Sequence, residues 1–97
     1  MAEKAEEQQT SGAGTAVDVL RAAGAEFAGL TGLRAEAVTR LERTSDGWVL
    51  EAEVTELARV PNSMSLMASY EVTVDERGGI TGYRRVRRYE RGRPDPR

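Results

Sequence analysis

Leu66-Met67-Ala68-Ser69-Tyr70-Glu71-Val72-Thr73-Val74-Asp75, then Glu76-Arg77-Gly78-Gly79, then Ile80-Thr81-Gly82-Tyr83-Arg84-Arg85-Val86-Arg87-Arg88-Tyr89-Glu90-Arg91 is the stretch that decides the fold. Side chains alternate between the faces of a strand. In the first segment Leu66, Ala68, Tyr70, Val72 and Val74 therefore share an apolar face, and Met67, Ser69, Glu71, Thr73 and Asp75 share a polar one. The four residues 76–79 read as a hairpin turn. That turn pairs Asp75 with Ile80, Val72 with Tyr83, Glu71 with Arg84, Tyr70 with Arg85 and Leu66 with Tyr89. Tyr83 and Tyr89 then join the apolar face. Arg84, Val86 and Arg88 go to the other face, beside Glu71.

Working outward, residues 48–57 alternate in the same way, with Trp48, Leu50, Ala52 and Val54 inward and Val49, Glu51, Glu53 and Thr55 outward. Ser45-Asp46-Gly47 is a turn, and Val60-Pro61-Asn62-Ser63 is a loop. Residues 35–43 form a weaker strand. Val38 and Leu41 differ in parity there, so either a bulge intervenes or both faces are partly covered. Upstream, residues 15–30 have helical spacing through Val17, Leu20, Gly24, Phe27 and Ala28, with Ala16, Ala23 and Leu30 widening the stripe. Thr15 and Asp18 resemble a capping box, Arg21 and Glu26 fall on the outer side, and Gly29 or Gly32 ends the helix. Short connections imply antiparallel neighbours. The expected fold is α+β: one N-terminal helix packed on a four-stranded antiparallel β-meander, in one small domain over residues 15–91. Residues 1–14 read as a disordered leader and 92–97 as a flexible tail. The expected core is Leu20, Phe27, Trp48, Leu50, Val54, Tyr70, Val72 and Tyr83.

Composition removes most chemistry. The 97 residues contain no histidine and no cysteine, which argues against a zinc or copper site and excludes Ser-His-Asp and Cys-His schemes. The one lysine, Lys4, lies in the leader, so a Walker loop or a Schiff-base lysine is not available. Carboxylate pairs need a cleft, and one sheet under one helix offers little. The expectation is a non-enzymatic protein with no cofactor and no metal. The acidic, polar start and the lack of a long apolar run argue for a cytoplasmic protein without a membrane span.

Function is therefore sought in the last strand. Seven of the 14 basic residues fall in the last 14 positions, interleaved with Tyr83, Val86 and Tyr89. Arg84, Val86 and Arg88, with Met67 and Val49 beside them on the outer face, are the candidate partner-binding residues. Two arginines flanking an apolar side chain suit an acidic protein partner. The same arginines can instead be neutralised by Glu51, Glu53 and Glu71 across the sheet. A nucleic-acid-binding regulatory module is the alternative, since Arg and Tyr can grip phosphates and stack bases. The net charge of −2 speaks against it. A small ligand between helix and sheet is a third reading, which large side chains such as Trp48 and Tyr70 would oppose by filling the space.

The ordered set Gly47-Trp48-Val49, Glu51-Ala52-Glu53-Val54-Thr55-Glu56, Arg59-Val60-Pro61, Tyr70-Glu71-Val72, Tyr83 and Arg88-Tyr89-Glu90-Arg91 resembles the gas vesicle protein GvpO family. Met67 stands as an insertion between Leu66 and Ala68 relative to the family pattern, and loop residues Asn62-Ser63-Met64-Ser65 replace a more acidic version. The resemblance implies an accessory protein encoded in a gas vesicle cluster, needed for making the hollow protein shell and at most a minor part of it. It carries over no catalytic residues. It implies other gas vesicle proteins as partners and a location at gas vesicles or their assembly intermediates. A regulatory role is also compatible with the family. The oligomeric state is left open by the sequence.

Overall fold

Thr15 opens the first element of the computed structural model, which describes residues 15–93; the expected leader and most of the expected tail lie outside the described residues. Helix α1 spans Ala16–Thr31. The Thr15 hydroxyl accepts the Asp18 N–H at 3.3 Å, which satisfies one of the free donors of the first turn. The Asp18 carboxylate pairs with Arg21. Gly32, at φ 74°, ends the helix and donates its N–H to the Ala28 carbonyl at 2.8 Å. A side chain would be strained in that left-handed conformation.

The buried residues of α1 are Val19, Ala23 and Phe27. Ala23 and Phe27 lie on the expected stripe, but its start is rotated: Val17 is 60% exposed and Val19 is buried in its place. The hairpin turn sets this rotation. A Cβ on Gly78 would come within 2.8 Å of the Ala22 Cβ, so the turn lies directly against the helix. Glu26, expected to face outward, accepts the N–H of Ile80 at 2.9 Å. Asp75 organises the same turn by accepting N–H groups of Arg77 and Gly79, each at 2.9 Å.

Four strands follow: β1 (Ala35–Thr44), β2 (Gly47–Leu57), β3 (Leu66–Asp75) and β4 (Ile80–Glu90). They form one antiparallel sheet in chain order, as expected of a meander. The Val38–Leu41 parity conflict is resolved by a register shift between Val38 and Arg40, which puts Val38 opposite Ala52 and Leu41 opposite Leu50 on the helix side. In the β3–β4 hairpin the centre of the expected register holds: Val72 faces Tyr83, Glu71 faces Arg84 and Tyr70 faces Arg85.

Both ends of that hairpin differ from expectation. Near the turn Val74, not Asp75, faces Ile80, so Ile80 lies on the helix side and packs against the core. Toward the far end Ser69 faces Arg87, leaving Val86 as the extra residue. One extra residue reverses every side chain beyond it. Arg88 therefore opposes Ala68 on the helix side, while Tyr89 opposes Met67 on the outer side. Both are the reverse of the expected assignment.

The core consists of Val19, Ala23 and Phe27 against Leu50, Ala52, Val54, Ala68, Val72 and Val74. Leu20, Trp48 and Tyr70 are only partly buried, and Tyr83 is 44% exposed. Cover explains this. A 16-residue helix is about 24 Å long and about 10 Å wide. Four paired ten-residue strands span roughly 33 Å by 15 Å. The sheet rim stays partly open, and Trp48 carries Arg43 over its ring at 5.0 Å. Phe27 holds the centre, edge-on to Tyr70 at 5.4 Å and Tyr83 at 5.8 Å. The gap over the core between Leu20, Phe27, Leu50 and Val72 holds about 20 Å³, room for about one water.

Phe27→Ala should cost about 3–5 kcal/mol in a urea melt, the usual scale for a buried aromatic. Trp48→Ala should cost clearly less, because part of its ring is already wet. Equal losses would show that the rim is as well covered as the centre.

Candidate interaction faces of the sheet

The outer face of the sheet carries charge in rows. Arg40, Glu51, Glu71 and Arg84 stand opposite one another across all four strands. Glu51 and Glu71 are like charges side by side on the central strands, and the edge strands supply the cations. Arg40 reaches Glu71 at 3.3 Å and Glu42 at 2.9 Å, and Arg84 reaches Glu71 at 3.2 Å. These pairs are solvated, so each contributes about 0–1 kcal/mol.

One row further, the outer face becomes dry. Glu53 accepts the Ser69 hydroxyl at 2.6 Å and the Tyr89 hydroxyl, and lies 3.7 Å from Arg87. Arg87 also stacks over the Tyr89 ring at 5.5 Å. Arg91 joins Glu36 at 2.8 Å, and Thr55 donates to Glu36 while lying 3.4 Å from the Met67 sulfur. Long edge-strand side chains thus roof the small residues between them. Met67 is only 3% exposed and Ser69 is fully buried. Burial and the Glu53 hydrogen bond push the Tyr89 hydroxyl up to about 12.

A second cluster lies on the helix side, at Tyr70 and beyond core residue Val54 in β2. Glu56 follows Thr55 at a bulge in β2. It accepts Arg85 at 3.1 Å, Arg88 at 2.8 Å and the Tyr70 hydroxyl at 3.0 Å. Burial pushes its carboxyl up, but the hydrogen bonds from Arg85, Tyr70 and Arg88 outweigh burial and hold it below 4.5. Glu56 was not among the candidate residues. Carrying the parity of Leu50, Ala52 and Val54 two residues further would have placed this acid on the face that Arg85 shares.

The five candidate residues therefore do not form one surface. Arg84, with a 68% exposed side chain, remains on the outer face. Val49 and Val86 are half-buried. Met67 is covered within the chain, and Arg88 is engaged by Glu56 on the opposite face. Among the described residues no group of three or more acidic side chains is placed to hold a metal ion. None of their helices is long and apolar enough to cross a membrane.

Arg88→Glu should destabilise more than Arg84→Glu. The first sets a second carboxylate against poorly hydrated Glu56, at a cost of about 1–3 kcal/mol. The second adds an exposed like-charge neighbour, about 0.2–1 kcal/mol. Chemical melts of both variants test the order. Glu56 and Glu36 are both held below 4.5; for Glu36 hydrogen bonds from Arg91 and Thr55 lead. Their stabilisation is complete above about pH 4.5 and is lost as pH falls through the lowered folded values. The melting temperature should drop between roughly pH 5 and pH 3, and Glu56→Gln should flatten that drop.

The model of the family described as "Gas vesicle synthesis protein GvpO" matches residues 2–95. The chain is 65% identical over 77 residues to "Gas vesicle protein O" of Streptomyces sp. (strain CB03234), covering 79% of this chain and 60% of that relative. It is 37% identical over 57 residues to "Gas vesicle protein O1" of Halobacterium salinarum, covering 59% of this chain and 48% of the relative. It is 36% identical over 58 residues to "Gas vesicle protein O" of Haloferax mediterranei, covering 59% and 41%. The chain thus spans between two fifths and three fifths of the length of these curated relatives. No solved structure matches. A family model covering nearly the whole chain, together with the Gly47-to-Arg91 motif set laid out on one sheet, shows that this chain belongs to the gas vesicle synthesis protein GvpO family.

Proposed function

We propose that this protein serves gas vesicle assembly as a non-enzymatic accessory factor that binds other gas vesicle proteins. Family membership supports the gas vesicle setting. The observation that carries the binding mode is the state of the arginines in and just after β4. Arg84, Arg85, Arg87, Arg88 and Arg91 each lie within ion-pair distance of a carboxylate on another strand of the same sheet. Arginines matched in this way to carboxylates of the same sheet are poorly placed to follow a phosphate backbone, which nucleic-acid binding requires. A mixed face of paired charges with half-buried Val49 and Val86 instead resembles a protein–protein surface, where complementary charge sets orientation and on-rate.

On this reading Arg84 is the leading contact of the outer face, with Val86 and Val49 as its apolar neighbours. Met67 supports the face from beneath, and Arg88 does not take part in it. The test is binding of the full chain to each other protein of its own gas vesicle gene cluster. The double variant Arg84→Glu, Val86→Ser should lose capture while its circular dichroism spectrum is unchanged. Normal capture by that folded variant would remove the outer face from the mechanism. Salt-sensitive binding of duplex or single-stranded DNA at physiological ionic strength would instead favour a regulatory role.

A further inference from the structure

The link between β2 and β3 exposes apolar side chains from a backbone that is tightly held. Leu57 at the end of β2 is 48% exposed, Val60 is 98% exposed and Met64 is 44% exposed. A mobile loop can lose such side chains into its own folds, but this loop is tied at several points. The fully buried Ser65 accepts the Arg59 N–H at 3.0 Å through its hydroxyl, which donates to Asn62 Oδ1 at 3.2 Å. The Met64 N–H meets the Pro61 carbonyl, and the Ser65 N–H meets the Asn62 carbonyl, each at 2.9 Å. From the end of β4, Arg91 and Gly92 donate N–H groups to the Ser65 and Ser63 carbonyls at 2.9 and 2.7 Å. The chain closes against the loop so tightly that a Cβ on Gly92 would lie 2.9 Å from the Ser63 carbonyl oxygen. Three apolar side chains are thus displayed in water by a pre-ordered frame, which lowers the entropic cost of docking.

The charge around this frame is not balanced. The described residues hold twelve arginines and twelve carboxylates, yet they are unequally distributed along the strands. From the row of Ala52 and Tyr70 to the loop, with residues 32–34 and 91–93, there are seven arginines and four carboxylates. The opposite end, with the helix, holds five arginines and eight carboxylates. The surplus cations can be identified. Arg85 and Arg88 share the single Glu56, and neither Arg34 nor Arg59 has a carboxylate at ion-pair distance among the described residues. Arg59 stands next to Val60, so the surplus reaches the apolar display itself.

We infer that the 57–64 loop, with Leu57, Val60, Met64 and Arg59, is a second docking surface that takes an acidic, amphipathic segment of another protein. An apolar anchor covering Val60 and Met64, flanked by Asp or Glu for Arg59, fits both the exposed area and the local charge. A basic partner or a nucleic acid would satisfy one of these and not the other. This inference rests on the assembly reading above and names a surface distinct from the outer sheet face.

The test uses the full chain against each purified protein of its gas vesicle gene cluster, by biolayer interferometry at low and high salt. Val60→Asp and the pair Arg59→Glu, Met64→Asp alter exposed side chains, so both should melt like the parent. The expected result is a partner that binds the parent less as salt rises, and that each loop variant weakens by about tenfold or more, as for a lost complementary contact. If a partner binds parent and loop variants alike, while Arg84→Glu, Val86→Ser abolishes capture, the loop inference fails and the assembly reading stands. If no protein of the cluster binds the parent, the assembly reading fails and the loop loses its proposed partner. If the parent self-associates in sedimentation runs and Val60→Asp makes it monomeric, the occupant is a second copy offering its acidic end. That result overturns the heterologous partner.

Discussion

Carboxylates on the two central strands facing arginines on the two edge strands are the constraint on which this sheet depends. Glu51, Glu53, Glu56 and Glu71 sit inside the sheet, where water reaches them least, and Arg40, Arg84, Arg85, Arg87, Arg88 and Arg91 reach in from β1 and β4. A single such pair at a surface contributes little. The arrangement matters because, among the described residues, one helix leaves an entire sheet face without a second layer. Arginine stems, which are apolar along their length, cover Ser69 and Met67 while their heads neutralise the central acids. Among the described residues, side chains rather than another element cover this part of the outer face.

The same device constrains the edges. A free strand edge invites pairing with another chain. Both edge strands here carry arginines, and both are interrupted by register shifts, near Glu36 and Thr39 in β1 and near Thr81 and Val86 in β4. Bulges twist an edge away from a flat ladder. Backbone pairing with a further strand is thereby disfavoured at both edges.

The helix contributes through a narrow contact. Val19, Ala22 and Glu26 engage the β3–β4 turn at Gly78 and Ile80, and Phe27 fills the centre of the sheet. Its cover ends before the sheet does, and beyond it the inner face is finished by Glu56 with Arg85, Arg88 and Tyr70. The two faces therefore solve one problem alike, by spanning open apolar or small-residue ground with a carboxylate held between arginines.

The sequence by itself determined the element order, the meander and the centre of the β3–β4 register, because alternation and short turns are local properties. It also showed that this chain offers no cysteine or histidine side chain. The family could be read from an ordered motif set. Tertiary structure alone decided which arginine belongs to which face. One unpaired residue, Val86, reverses the parity of everything after it, and no pattern in an Arg-Arg-Val-Arg-Arg run marks where such a residue falls. Tertiary structure also decided the rotation of the helix, which follows from the Gly78 turn pressing on Ala22, a contact between residues more than fifty positions apart. Met67 was read as exposed because its parity is outward. It is buried because Tyr89, moved to its side by the same bulge, stands opposite it.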